Sequence, residues 1–230
     1  MLLAEARHAK RPGSGTRRGT RFARGVMWIG SASFVAITAL VARRKVPDID
    51  RAMASRLQAN RDPRMERAMV TVSWFGFPPQ SRVLPPIYAA VLWIAHFRLE
   101  ALFQLAAWGT AVLSTIVKSF MRRPRPIAGT DLRIVAAPLG GSSFPSGHVL
   151  TYVGVYGWLA LMAHLHIGPR SVRQLAVGAL VTLVAAIGPS RVYLGHHWPS
   201  DVLASYLLGS SYLAGLFLAY RRLRSRRVLQ

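Results

Sequence analysis

Residues 190–220 read Ser-Arg-Val-Tyr-Leu-Gly-His-His-Trp-Pro-Ser-Asp, then Val-Leu-Ala-Ser-Tyr-Leu-Leu-Gly-Ser-Ser-Tyr-Leu-Ala-Gly-Leu-Phe-Leu-Ala-Tyr. The second part carries no charge, and a bilayer core about 30 Å thick is crossed by about 20 apolar helical residues. It therefore predicts a membrane-spanning helix with one aspartate, Asp201, at its mouth. Working outward, further apolar blocks lie at 26–42, 83–97, 101–117, 149–164 and 175–187. Together they predict an all-α, polytopic membrane helical bundle of six transmembrane helices. Blocks 83–97 and 175–187 are short, and they must extend into flanking turns because backbone groups in lipid hydrogen-bond within their own helix.

The remaining composition narrows the partners. Thirty Lys and Arg against eight Asp and Glu give the 230-residue chain a net charge of +22, which calls for anionic partners. Most of the basic residues flank apolar blocks, a pattern that suits lipid head groups. No recognition helix or aromatic-studded basic sheet is present, so no nucleic acid is expected. The absence of cysteine removes disulfides, thiolate nucleophiles and thiolate metal sites.

Residues 1–24 are basic and lack the apolar core of a secretory signal, so they read as a flexible cytoplasmic tail, with 221–230 as a second basic tail. The membrane domain then covers 25–220. Within it, 43–82 mixes Pro47, four acids and many arginines with single apolar residues such as Ile49, Met53, Leu57 and Met65, which predicts an interfacial helix. Residues 119–142 contain Pro124, Pro126, Pro138, Gly140 and Gly141 and form a loop. The basic tails favour cytoplasmic termini. Basic residues nevertheless divide evenly between the two sides, so charge alone does not set orientation. Thr110, Ser114, Thr115, Ser205, Ser210 and Ser211 are expected to serve helix packing. Several tryptophans near span ends read as an aromatic belt, and Trp198 and Phe144 could edge a site.

Three segments carry chemistry. Lys118 ends an apolar helix and Arg125 follows a proline-broken loop, so a compact cation and a planar fork can meet one phosphate. Alone, this reads better as a basic flank at a membrane end, Arg122 and Arg123 included. In the second segment Pro145, Ser146, Gly147 and His148 directly precede an apolar block. Free N–H groups at that helix start suit an anion, and His148 could exchange a proton near neutral pH. A capping serine with an interfacial histidine fits the same letters. In the third segment Pro199 opens a helix that sets Asp201 one turn from His197. A carboxylate that orients an imidazole makes it a nucleophile, and Arg191 could neutralise phosphoryl oxygens. His196 competes with His197, but the one-turn spacing favours His197. Three anion-seeking segments, each at a helix mouth, outweigh the simpler reading of Asp201 as a cap.

These segments resemble the signature of the type 2 phosphatidic acid phosphatase (PAP2) superfamily, membrane lipid phosphatases related to vanadium haloperoxidases. That signature is Lys, six residues, Arg-Pro; then Pro-Ser-Gly-His; then Ser-Arg, five residues, His, three residues, Asp. Lys118, Arg125 and Pro126, then Pro145 to His148, then Ser190, Arg191, His197 and Asp201 match it in order. The resemblance implies that His197 attacks phosphorus and Asp201 holds it. It implies that Lys118, Arg125, Arg191, Ser146 and the Gly147 backbone bind phosphoryl oxygens. His148 would protonate the leaving oxygen and then activate water against a phosphohistidine. No cofactor and no metal are expected, since Asp201 is the sole acid inside the motifs.

The expected substrate is a phosphorylated lipid in the bilayer, such as phosphatidate, phosphatidylglycerol phosphate or undecaprenyl diphosphate. Transfer of the phosphoryl group to another acceptor uses the same site, and a non-catalytic lipid-phosphate binder or transporter is the alternative of another class. A haloperoxidase is disfavoured because those relatives are larger soluble proteins. By resemblance the site faces away from the cytoplasm, and the multi-span form fits a bacterial inner membrane. Oligomeric state is not legible.

Overall fold

The apolar blocks all become helical, though not one helix each: 26–42, 175–187 and 202–220 lie within longer single helices, 101–117 and 149–164 are divided, and the helix over 83–97 ends at Ile94. The computed structural model describes residues 14–126, 132–135 and 139–227, and no strand occurs among them. The helices are α1 (Ser14–Ala42), α2 (Pro47–Gln58), α3 (Pro63–Trp74), α4 (Gln80–Ile94), α5 (Arg98–Trp108) and α6 (Thr110–Met121). After a long loop come α7 (Gly147–Thr151), a π-helical segment (Tyr152–Tyr156), α8 (Gly157–His166), α9 (Arg170–Tyr193) and α10 (Pro199–Arg227).

Five stretches among the described residues are long and apolar enough to cross a membrane: Arg18–Ala42, Arg98–Met121, Gly147–His166, Arg170–Tyr193 and Pro199–Arg226. The expected block 83–97 corresponds to α4, which has only 15 residues and carries Pro85 and Pro86 inside it. The basic tails are shorter than expected. Helix α1 already begins at Ser14 and α10 continues to Arg227, so both spans extend as helix into arginine-rich sequence; residues 1–13 and 228–230 lie outside the described residues. The single helix expected in 43–82 is two, α2 and α3, because Pro63 after Asp62 starts a new one. The Asp62 carboxylate accepts from the Arg64 N–H at 2.8 Å, an N-terminal cap.

Close packing between spans rests on small residues, as it does where the hydrophobic effect cannot separate helix from lipid. A methyl group on Gly154 would lie 2.3 Å from the Ala107 carbonyl, and one on Gly188 would meet Val202 and Tyr206 at 2.6 Å. Gly30 packs on Ser211, so α1 lies along α10. The stretch from α7 through α8 is central. Val149, Leu150, Tyr152, Val155 and Trp158 are buried, whereas Phe22, Trp28 and Ile29 on α1 and Leu175 and Val181 on α9 are exposed. Apolar outer faces around a better buried centre are what a lipid solvent asks for. Trp158, inside the block 149–164, is fully buried against Phe103 and Tyr220.

The two ends of the bundle differ. At one end the Tyr220 hydroxyl donates to Glu100 at 2.7 Å and accepts from Arg224 at 2.8 Å, with His166 at 3.4 Å from the same carboxylate. The other end gathers the C-termini of α6 and α9 and the N-termini of α7 and α10, which carry the three motifs.

Candidate active site

The third motif sits where α9 stops and α10 starts. Gly195 turns the chain at φ +74°, and a side chain there would strike the Arg133 carbonyl at 2.3 Å. Gln58 of α2 clamps this turn: its Nε2 donates to the carbonyls of Arg133 and Tyr193 at 2.9 Å each, and its Oε1 accepts from the Arg133 N–H at 2.8 Å. His196 and His197 are both buried just beyond it. Pro199 opens α10, and Asp201 reaches back to accept the Trp198 N–H at 2.9 Å, a reciprocal cap of the kind acids make in a first turn.

His197 is oriented differently from the sequence expectation. Its Nδ1 lies 2.7 Å from the Ser143 carbonyl and 3.7 Å from Asp201 Oδ2, so the carbonyl and not the carboxylate accepts its hydrogen bond. Helical spacing places Asp201 beside the ring, but the second-motif loop brings the carbonyl closer. A carbonyl can only accept, so Nδ1 carries the proton and Nε2 keeps the lone pair. That Nε2 faces Arg125 Nη1 at 3.4 Å. Burial, then the nearby Arg191, Arg125 and Lys118 cations, pushes the imidazole well below its ordinary pKa. His197 is therefore a neutral, buried base with its lone pair turned toward cations.

Those cations come from the other motifs. Arg125 is held by backbone carbonyls, donating from Nη1 to His196 at 2.7 Å and from Nη2 to Ser142 at 3.2 Å. Burial lowers its pKa and Asp201 opposes the shift. Arg191 is fully buried, and its Nη1 donates to Ser73 Oγ at 3.1 Å. Ser73 and Ser190 are 2.7 Å apart and Ser190 donates to the Met69 carbonyl at 2.6 Å, so the chain of donors runs Arg191, Ser73, Ser190, carbonyl. Lys118 closes the ring; its Nζ lies 3.9 Å from where a Gly147 side chain would start, and it is within electrostatic reach of Arg125, Arg191 and Asp201.

The second motif presents its polar groups inward. The Ser146 N–H donates to Ser205 Oγ at 2.7 Å, and Ser205 donates to the Asp201 carbonyl at 2.6 Å; Ser205, expected to serve packing, thus ties motif two to motif three. Gly147 lets α7 approach Ser114, which a side chain would meet at 3.2 Å. His148 lies against the backbone of Gly76, with ring Cδ2 only 2.2 Å from a notional Cβ, and meets the edge of Phe77 at 4.8 Å between centroids. Phe77 also faces Arg191 at 5.1 Å. Phe144 stacks on Phe34 of α1 and is fully buried behind the loop.

Among the described residues, Arg191 Nε and Nη2, Ser146 Oγ and His148 Nε2 are buried without a hydrogen-bond partner. Buried polar atoms are normally paired, and these belong to the end of α9 and the start of α7, with Arg191 and His148 within electrostatic reach of His197. Such a set suits a tetrahedral oxyanion. Every residue singled out in the motifs is brought to this end of the bundle. Sequence reading missed Ser143, whose role is a main-chain one, as well as Ser73, Gly76, Phe77, Gln58, Asp50 and Arg123. All but two of these come from 43–82, where no motif marks them.

Comparison with known proteins gives the family. The model of the PAP2 superfamily matches residues 99–225, more than half of the chain, and the chain belongs to that family of membrane phosphatases. It is 28% identical over 181 residues to phosphatidylglycerophosphatase B of Bacillus subtilis (strain 168), covering 76% of this chain and 85% of that protein. Among solved structures, the transmembrane PAP2-type phosphatidylglycerolphosphate phosphatase from Bacillus subtilis superposes with a TM-score of 0.72 at 24% identity, over 88% of this chain and 97% of that one. LpxE of Aquifex aeolicus gives 0.55 at 23% identity, over 73% and 93%. The two structures share the fold.

Proposed function

We propose that the chain hydrolyses the phosphate of a membrane lipid through a phosphohistidine on His197. One observation carries this: the Nδ1 proton of His197 is committed to the Ser143 carbonyl, which leaves Nε2 as a nucleophile facing a ring of cations. Nε2 attacks phosphorus while Arg191, Arg125, Lys118 and Ser146 take the phosphoryl oxygens. The bond to the lipid oxygen breaks, its electron pair stays with that oxygen, and His148 supplies the proton. Water then attacks phosphorus, the P–N bond breaks, His148 takes the water's proton and inorganic phosphate leaves. Positive charge stabilises the transition state, and the reaction is read as needing no metal.

Phosphatidylglycerol phosphate is the first substrate to try, because the relative at 28% identity is named for it. The test is phosphate release from micelles of phosphatidylglycerol phosphate, phosphatidate and undecaprenyl diphosphate. Release from at least one is expected, with His197→Ala and His148→Ala folded but slower by about 10³-fold or more. No release from any of the three, or undiminished rates in either variant, would sink the reading. A phosphorylated acceptor in place of free phosphate would redirect it to phosphotransfer.

The placement in the membrane follows the same logic. The turn leading into α4 lies beside His148 through Gly76 and Phe77, and the turn after it sets Phe97 against His166, the levels between which Gly147–His166 also runs, so α4 serves as a sixth crossing. Helix α2 turns Ile49, Met53 and Leu57 outward with exposed Arg51 and Arg56, a face suited to the interface of the leaflet at the active-site end. That end is assigned to the outer side of a bacterial inner membrane.

A further inference from the structure

Arg123 stands at a spacer position of the first motif and Asp50 lies outside all three, yet both are built into the site. We propose that they are positioning residues: together they set the two groups that face Nδ1 of His197, and so aim its Nε2. This rests on the phosphatase reading above.

Arg123, with its side chain 12% exposed, forks between two carboxylates. Its Nη1 donates to Asp201 Oδ1 and its Nη2 to Asp50 Oδ2, both at 2.5 Å. Asp50, on α2 and almost fully buried, accepts the N–H and the hydroxyl of Ser200 at 2.8 and 2.6 Å. The first turn of α10 is thereby gripped from α2 and from the loop after α6. Asp201 Oδ2 is the oxygen nearer His197, and its place is set by where Arg123 holds Oδ1. The main chain of Arg123 reaches the other group. Its N–H donates to Ser142 Oγ at 3.0 Å and its carbonyl accepts from the Ser143 N–H at 2.8 Å, and Ser143 supplies the carbonyl that takes the Nδ1 proton. One residue thus fixes Asp201 through its side chain and Ser143 through its backbone. A planar guanidinium holds the two carboxylates through separate nitrogens in a fixed fork, whereas an ammonium offers its donors from one atom on a flexible stem and does not fix their spacing.

The test measures kcat, KM and detergent melting temperature for wild type, Arg123→Gln, Arg123→Lys, Asp50→Asn and His197→Ala, on the lipid phosphate the wild type turns over fastest. Neither residue holds substrate, so KM should stay within about twofold while kcat falls on the order of 10- to 100-fold in Arg123→Gln and Asp50→Asn. Arg123→Lys should recover little of the loss. Rapid quenching should show slowed phosphorylation of His197. Unchanged kcat, or a rise in KM with kcat intact, overturns the inference. If Arg123→Gln does not fold, Asp50→Asn, which keeps the size and the Ser200 acceptor, decides by the same split. No turnover by the wild type would overturn the phosphatase reading and this inference with it; a working wild type with unaltered variants overturns the inference alone.

Discussion

At the scale of residues, the site depends on an imidazole kept neutral and aimed. His197 is buried beside three cations, and its folded pKa lies well below the ordinary value of about 6.5. In the unfolded chain it takes up a proton as pH falls through about 6.5, whereas the folded chain does not. The unfolded state therefore binds more protons there, and stability declines as pH drops below about 6.5. Melting in detergent at pH 7.5 and pH 5 should show this decline, and His197→Asn should reduce it; an equal decline in the variant would exclude His197 as the source. Gly76 is the second residue to test. An alanine there would put Cβ 2.2 Å from the His148 ring, so the imidazole must leave its seat. We expect Gly76→Ala to cut kcat about 10- to 100-fold with a modest fall in melting temperature from the displaced ring, and wild-type turnover would disprove the contact.

At the scale of elements, α2 and α3 act as struts for the motif helices. The inner face of α2 is polar, with Asp50 and Gln58 gripping the start of α10 and the end of α9, while its outer face shows Ile49, Met53 and Leu57. Helix α3 supplies Ser73 to Arg191. Ser73→Ala leaves a buried guanidinium N–H without its acceptor, which costs about 1–3 kcal/mol of stability. Arg191 also loses its aim, so KM for the lipid phosphate should rise; stability and KM both at wild-type values would remove α3 from the site. Only a mixed apolar and charged pattern was visible here in the sequence. An element whose polar face turns inward cannot be told from one that faces water until its partners are known.

At the scale of the whole molecule, the two ends of the bundle let the proposed orientation be tested. The chain has no cysteine, so single cysteines report cleanly. Gly140 is exposed, with open space around its Cα, at the active-site end, and Leu223 is exposed at the other. In intact cells an impermeant thiol reagent should label Gly140→Cys and spare Leu223→Cys; the reverse pattern would turn the site toward the cytoplasm. The helical class, the apolar blocks and the three motif segments were all legible in the sequence, because membrane thickness sets span length and phosphate chemistry restricts residue type and spacing. Short α4 was legible as a block but not by its length, since its path depends on where α3 and α5 place its ends. What only the tertiary structure decided was which atom holds which. Sequence spacing paired His197 with Asp201, since they stand one helical turn apart. The fold instead brought the Ser143 carbonyl closer and turned Asp201 toward Arg123, because contacts between distant loops follow from packing and leave no periodic trace in the chain.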